Sequence, residues 1–210
     1  MKTTLFLAFK TIGINTCLAI VLCGSSCNSN NEHATDNQEE KSMEMADSSN
    51  ELAEERNDAK FENNKDDDAN FMMKVAEVNM LEIELGKLAQ KNAVSKDVKN
   101  LGSMMEKEHT KAHADLKAMA DKKQVSLPTM LSSNGQDFKS KLMQKTGTEF
   151  EKEYCEKMVK SHEETIEKFE SAAKDAKDPD LKAWANSMLP ALRKHLDHAM
   201  SCQKMSDKKS

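Results

Sequence analysis

The chain has 210 residues, of which 32% are charged and 38% hydrophobic, and its net charge is -5. Three prolines, six glycines and 4% aromatic residues exclude the turn-dense, aromatic-rich pattern of a β-sandwich or barrel. Lysines are interspersed with acidic residues and form no basic stripe, which argues against nucleic-acid binding.

Residues 1–27 read as an export signal. Lys2 and Lys10 mark a charged start, and the apolar run over 12–23 is too short to span a bilayer permanently. It ends in Gly24-Ser25-Ser26-Cys27, which resembles the lipobox of bacterial lipoproteins, with Gly24 standing where Leu is usual. Cys27 is then the expected lipidated first residue of the mature chain, and a membrane reached through that lipid is the expected partner. The plainer alternative is an ordinary cleaved signal with Cys27 a bystander. Residues 28–67 are rich in Asn, Ser, Asp and Glu and carry only scattered apolar residues, so a flexible tether is expected there.

Hydrophobic periodicity predicts four long helices, over 68–91, 96–123, 148–177 and 179–203, with the tail 204–210 frayed. Asp68 and Ser95 are expected N-caps, and Pro179 suits a first helical turn. Pro190 lies inside the last helix and should remove one hydrogen bond near His195. Between the second and third long helices, Pro128 and Ser132-Ser133-Asn134-Gly135 break the pattern, and a short extra helix is predicted over 137–144. The predicted fold is all-α: an up-down-up-down four-helix bundle over 68–203, with both tight turns at one end.

Each long helix carries an apolar stripe at alternating steps of four and three with one interior polar residue. The stripes are Phe71, Val75, Val78, Glu82, Leu85, Ala89; then Val98, Gly102, Met105, His109, Ala112, Leu116, Met119; then Cys155, Val159, His162, Ile166, Phe169, Ala173, Ala176; and Leu181, Ala185, Met188, Leu192, His195, Ala199, Cys202. Counted from the turns, the three histidines fall within about 3 Å of one level, with Glu82 about 5–8 Å nearer its turn. Three imidazoles and a carboxylate converging in a bundle core suit one Zn, Fe, Mn or Cu ion, so Glu82, His109, His162 and His195 are candidate ligands. Glu106, three residues before His109, is a candidate supporting carboxylate. Neither His162 nor His195 has such a glutamate, so a mononuclear site fits better than a di-iron centre. Two alternatives stand beside it. One is a non-catalytic structural or interaction module with a buried polar layer; the other is a metal-dependent redox enzyme. No catalytic residue is assigned.

Cys155 and Cys202 should be neighbours across the same hairpin as His162 and His195, further from the turn. In an oxidising compartment they are expected to form a disulfide; two buried free thiols are the alternative. His113 and His198 lie off the stripes. The chain has 15 methionines, and those on the stripes, Met105 and Met188, read as core filling.

Four segments resemble the bacterial domain-of-unknown-function 4142 family. They are Ala76-Glu77-Val78-Asn79-Met80-Leu81-Glu82-Ile83-Glu84-Leu85-Gly86-Lys87-Leu88-Ala89; Met104-Met105-Glu106-Lys107-Glu108-His109-Thr110-Lys111-Ala112, with Glu108 where the family has Asp; Phe150-Glu151-Lys152-Glu153-Tyr154 followed by His162-Glu163, with Glu151 again replacing Asp; and Leu189-Pro190-x-Leu192-x-x-His195-Leu196. The resemblance covers about residues 68–200 in order. It implies a ferritin-like four-helix fold and an exported protein of the periplasm or outer membrane, and no activity. Glu82, His109, His162 and His195 all lie within the matching segments.

Overall fold

The computed structural model describes residues 32–61 and 67–208. The expected export signal and the expected lipidated Cys27 lie outside the described residues. Among these residues the chain is all-helical: α1 (Glu32–Lys60), α2 (Asp67–Asn92), α3 (Lys96–Lys123), α4 (Ser133–Met143), α5 (Gly147–Asp175) and α6 (Pro179–Asp207). Among the described residues no helix is long and apolar enough to cross a membrane.

The helices α2, α3, α5 and α6 enclose the buried interior, whose apolar residues form two clusters. They form two close hairpins, α2 with α3 and α5 with α6, and α2 also packs on α5 and α3 on α6. The first hairpin is unusually tight at one point. A Cβ built on Gly86 would lie 2.6 Å from the Gly102 carbonyl oxygen, and one on Gly102 2.7 Å from the Gly86 carbonyl oxygen. Backbone meets backbone there, and only glycine leaves room. Ser95 caps α3 by accepting from the Val98 amide, and Asp178 caps α6 ahead of Pro179. The Ser95 cap and the first-turn position of Pro179 agree with the sequence reading. Asp68 differs: its carboxylate accepts from the Lys177 and Asp178 amides at the α5–α6 turn (3.2 and 2.8 Å).

That contact corrects the expected topology. The start of α2 lies beside the α5–α6 turn, while Glu151 near the start of α5 accepts from the Val94 and Ser95 amides at the α2–α3 turn. The two tight turns are therefore at opposite ends, and the order is up-down-down-up. The reason is the connection after α3. Nine extended residues over 124–132 reach about 30 Å and the 11 residues of α4 add about 16 Å, enough to run back along a helix of about 42 Å.

The polar stretch expected as a tether is also corrected. Over Glu32–Lys60 it is helix α1, which lies against the connection and α4. Its side chains satisfy backbone that no regular structure pairs. Asn57 accepts from the Ser126 amide (2.7 Å) and donates to the Ser126 carbonyl (3.0 Å), Ser49 accepts from the Thr129 amide (3.0 Å), and Lys60 donates to the Lys123 and Gln124 carbonyls. Such a helix packs through hydrogen bonds, with only Ala53 and Asn57 buried among its described side chains, so it lacks the apolar period that reveals a core helix. At the other terminus, α6 runs to Asp207 with Ser206 buried, four residues into the stretch expected to fray.

Candidate functional site

The site lies at mid-height of the four long helices. Counted from the end where α2 begins, Glu82, His109, His162 and His195 lie about 13–16 residues along their helices, within about 5 Å of one level. The offset expected for Glu82 came from placing both turns at one end and disappears once they are opposed. All four side chains are buried, none more than 3% exposed.

The three imidazoles face one another with ring centroids 5.3–5.6 Å apart. Each offers a ring nitrogen such that the three lie within 4.8 Å of one another, an arrangement that could hold a metal ion. Glu82 Oε2 stands 2.7 Å from His109 Nε2 and 3.5 Å from His162 Nε2. His162 Nε2 is 3.3 Å from His195 Nδ1.

The groups behind the rings fix where the protons are. His162 Nδ1–H donates to the Met158 carbonyl (2.9 Å), so its Nε2 carries a lone pair. His195 Nε2–H donates to Glu108 Oε2 (2.7 Å), so its Nδ1 carries the lone pair. His109 Nδ1–H donates to Asn79 Oδ1 (2.8 Å), which leaves the lone pair on Nε2. The Ser161 hydroxyl donates to Glu82 Oε1 (2.6 Å) and leaves Oε2 facing the rings. Neither Glu82 Oε2 nor His109 Nε2 makes a hydrogen bond of acceptable geometry despite their 2.7 Å approach. With all three rings neutral, three nitrogen lone pairs and one carboxylate oxygen converge, an arrangement that repels itself until a proton or a metal cation enters.

Burial pushes the Glu82 carboxyl up, but attraction to His162 and His109 and the hydrogen bond from Ser161 outweigh it and hold the group well below the usual carboxylate range. Burial pulls His195 down to about 4, against the raising effect of Glu108 and with help from the neighbouring imidazoles. His195 is therefore neutral at pH 7. Glu108 is the partly exposed member, at 38%, and its carboxyl is lowered by His195 against its own desolvation.

The structure brings all four expected ligands together. It does not bring Glu106 to them: its carboxylate accepts from Gln90 Nε2 (2.6 Å) on α2. One position before His109 instead of three, Glu108 points to α6 and takes the supporting role, at His195. Asn79 and Ser161 were missed because they are polar residues inside an apolar face. Their signal was spacing: Asn79 lies three residues before Glu82 and Ser161 adjoins His162. His198 is exposed and His113 half-buried outside the cluster.

Cys155 and Cys202 are neighbours, as expected, but no bond joins them; both are buried free thiols with their side chains hydrogen-bonded to each other.

A family model described as Domain of unknown function (DUF4142) matches residues 34–202. The chain belongs to this family. The match begins inside α1, so the DUF4142 unit includes the polar helix as well as the four long ones. No curated protein and no solved structure matches the chain.

Proposed function

We propose that this DUF4142 protein binds one transition-metal ion through Glu82, His109, His162 and His195 in the core of a ferritin-like four-helix bundle, in the cell envelope, held to a membrane by lipid on Cys27. The single long crossover through α4 supports the ferritin-like assignment. The observation that carries the metal reading is the inward convergence of lone pairs, each backed by an acceptor that fixes the ring: Asn79, the Met158 carbonyl and Glu108. Distances support it. A tetrahedron with bonds of about 2.05 Å has edges of about 3.3 Å; the His162–His195 edge is 3.3 Å and the Glu82–His162 edge 3.5 Å. Three nitrogens and one oxygen suit Zn, Mn or Fe, and the bound ion would offset the lone-pair repulsion and supply Lewis acidity. Storage, sensing or protection against metal stress are the roles such a site serves.

A second reading, a buried polar layer in a structural module, is favoured by one distance. The 2.7 Å between Glu82 Oε2 and His109 Nε2 is that of an ion pair and shorter than a tetrahedral edge. The two readings separate on titration of metal-free protein with Zn, Mn, Fe(II) or Cu. Metal binding predicts one ion per chain and a rise in melting temperature of several degrees, abolished in His162→Ala. No stoichiometric uptake and no shift with any of the four would leave the polar layer.

A further inference from the structure

We propose that Cys155 and Cys202 are a reactive dithiol that reduces a peroxide-class oxidant and closes into a disulfide, with Cys202 as the attacking sulfur. The pair is separate from the histidine layer. Cys155 precedes His162 by two helical turns and Cys202 follows His195 by two, so the sulfurs sit about 10 Å along the bundle axis, toward the α2–α3 turn. They come from adjacent helices, are buried together beside Phe150, Tyr154 and Ala199, and stay unbonded. Two thiols on separate helices within hydrogen-bonding reach need little movement to join.

The pair is asymmetric. The two side chains share a hydrogen bond. That bond, with burial, pushes Cys155 well up and pulls Cys202 down, although burial and the nearby Asp97 and Glu151 carboxylates oppose the fall at Cys202. Cys202 is also the outer sulfur, 5% exposed against 0% for Cys155. Access thus distinguishes the nucleophile from the resolving thiol. A peroxide, nearly as small as water and uncharged, suits so narrow an approach.

The chemistry balances with the peroxide as the only oxidant. Cys202 sulfur attacks one peroxide oxygen; the S–O bond forms, the O–O bond breaks, and the leaving hydroxide takes up the thiol proton as the first water. Cys155 sulfur then attacks the Cys202 sulfenic acid; the S–S bond forms, the S–O bond breaks, and hydroxide leaves with the Cys155 proton as the second water. Two thiols lose two electrons and the peroxide gains them. The product bridges α5 and α6, the helices that carry His162 and His195.

The test is peptide mapping without reduction on the full chain, reduced, freed of reductant and treated with hydrogen peroxide. The expected product is a Cys155–Cys202 linked peptide, two hydrogens lighter than the separate pair and released by dithiothreitol; the same map reads Cys17, Cys23 and Cys27 independently. Cys155→Ser should leave a sulfenic acid on Cys202 that dimedone traps, while Cys202→Ser should leave Cys155 oxidising roughly tenfold more slowly than the wild-type pair. If both thiols of the folded wild-type chain survive a tenfold excess of peroxide, or if Cys155 is the residue dimedone labels, the proposal fails. The wild-type map decides alone should a serine variant lose its helical circular-dichroism signal.

Discussion

At the scale of single residues, the protonation of the cluster sets a pH dependence. His195 takes a proton only near pH 4 in the fold, against an ordinary value of 6.5. Between those values the unfolded chain binds a proton the folded chain refuses, so stability falls as pH falls through that window. Glu82 adds to this at lower pH: its carboxyl is held below its ordinary 4.5, so its contribution is present above that value and is lost as pH falls further. Melting of metal-free protein followed by circular dichroism should give a midpoint that declines steadily from pH 7 to pH 4. In His195→Gln the upper part of the decline should flatten, and an unchanged slope would show that another group governs it. The four converging residues were legible because each interrupts an apolar stripe. Asn79, Ser161 and Glu108 were not, since their importance lies in which ring nitrogen they touch, and that depends on how neighbouring helices are rotated. On α5 the buried face includes Met158, Thr165 and Ala172, with Val159, Ile166 and Ala173 at its margin. That rotation brings Ser161 to Glu82.

At the scale of elements, the α2–α3 hairpin depends on its glycine pair. Adding one methyl at Gly86 drives a carbon to 2.6 Å from a backbone oxygen that cannot rotate away. The helices must separate, and Glu82, one turn from Gly86, and His109, two turns from Gly102, separate with them. Gly86→Ala should therefore destabilise the fold by about 1–3 kcal/mol, the usual cost of overpacking, although alanine favours helix by about 1 kcal/mol. Denaturant unfolding checks this, and a variant as stable as wild type would mean that the helices slide freely at that point. Helix boundaries and caps in this hairpin were legible because Ser95 and the turn residues act locally. Helix α1 was not, because it binds the crossover by pairing Asn57, Ser49 and Lys60 with backbone groups far away in sequence. A polar helix stabilised by such contacts has the composition of a tether.

At the scale of the whole molecule, the two hairpins could be read from their short turns, but their relative direction could not. It is decided by a 23-residue connection whose net travel depends on how much of it is helical. Both arrangements place mid-helix residues near one level, which is why the expected ligands converge in a topology other than the one expected. The bundle thus carries two separate groups of soft and borderline donors, nitrogens with one oxygen at mid-height and two sulfurs about 10 Å along the axis. A metal ion must choose between them. X-ray absorption spectroscopy of the zinc-loaded full chain, at one ion per protein, reports that choice directly. The central claim predicts a first shell of three nitrogens and one oxygen at about 2.0–2.2 Å with the imidazole multiple-scattering pattern. A shell containing sulfur at about 2.3 Å, or one of oxygens without imidazole, would contradict it.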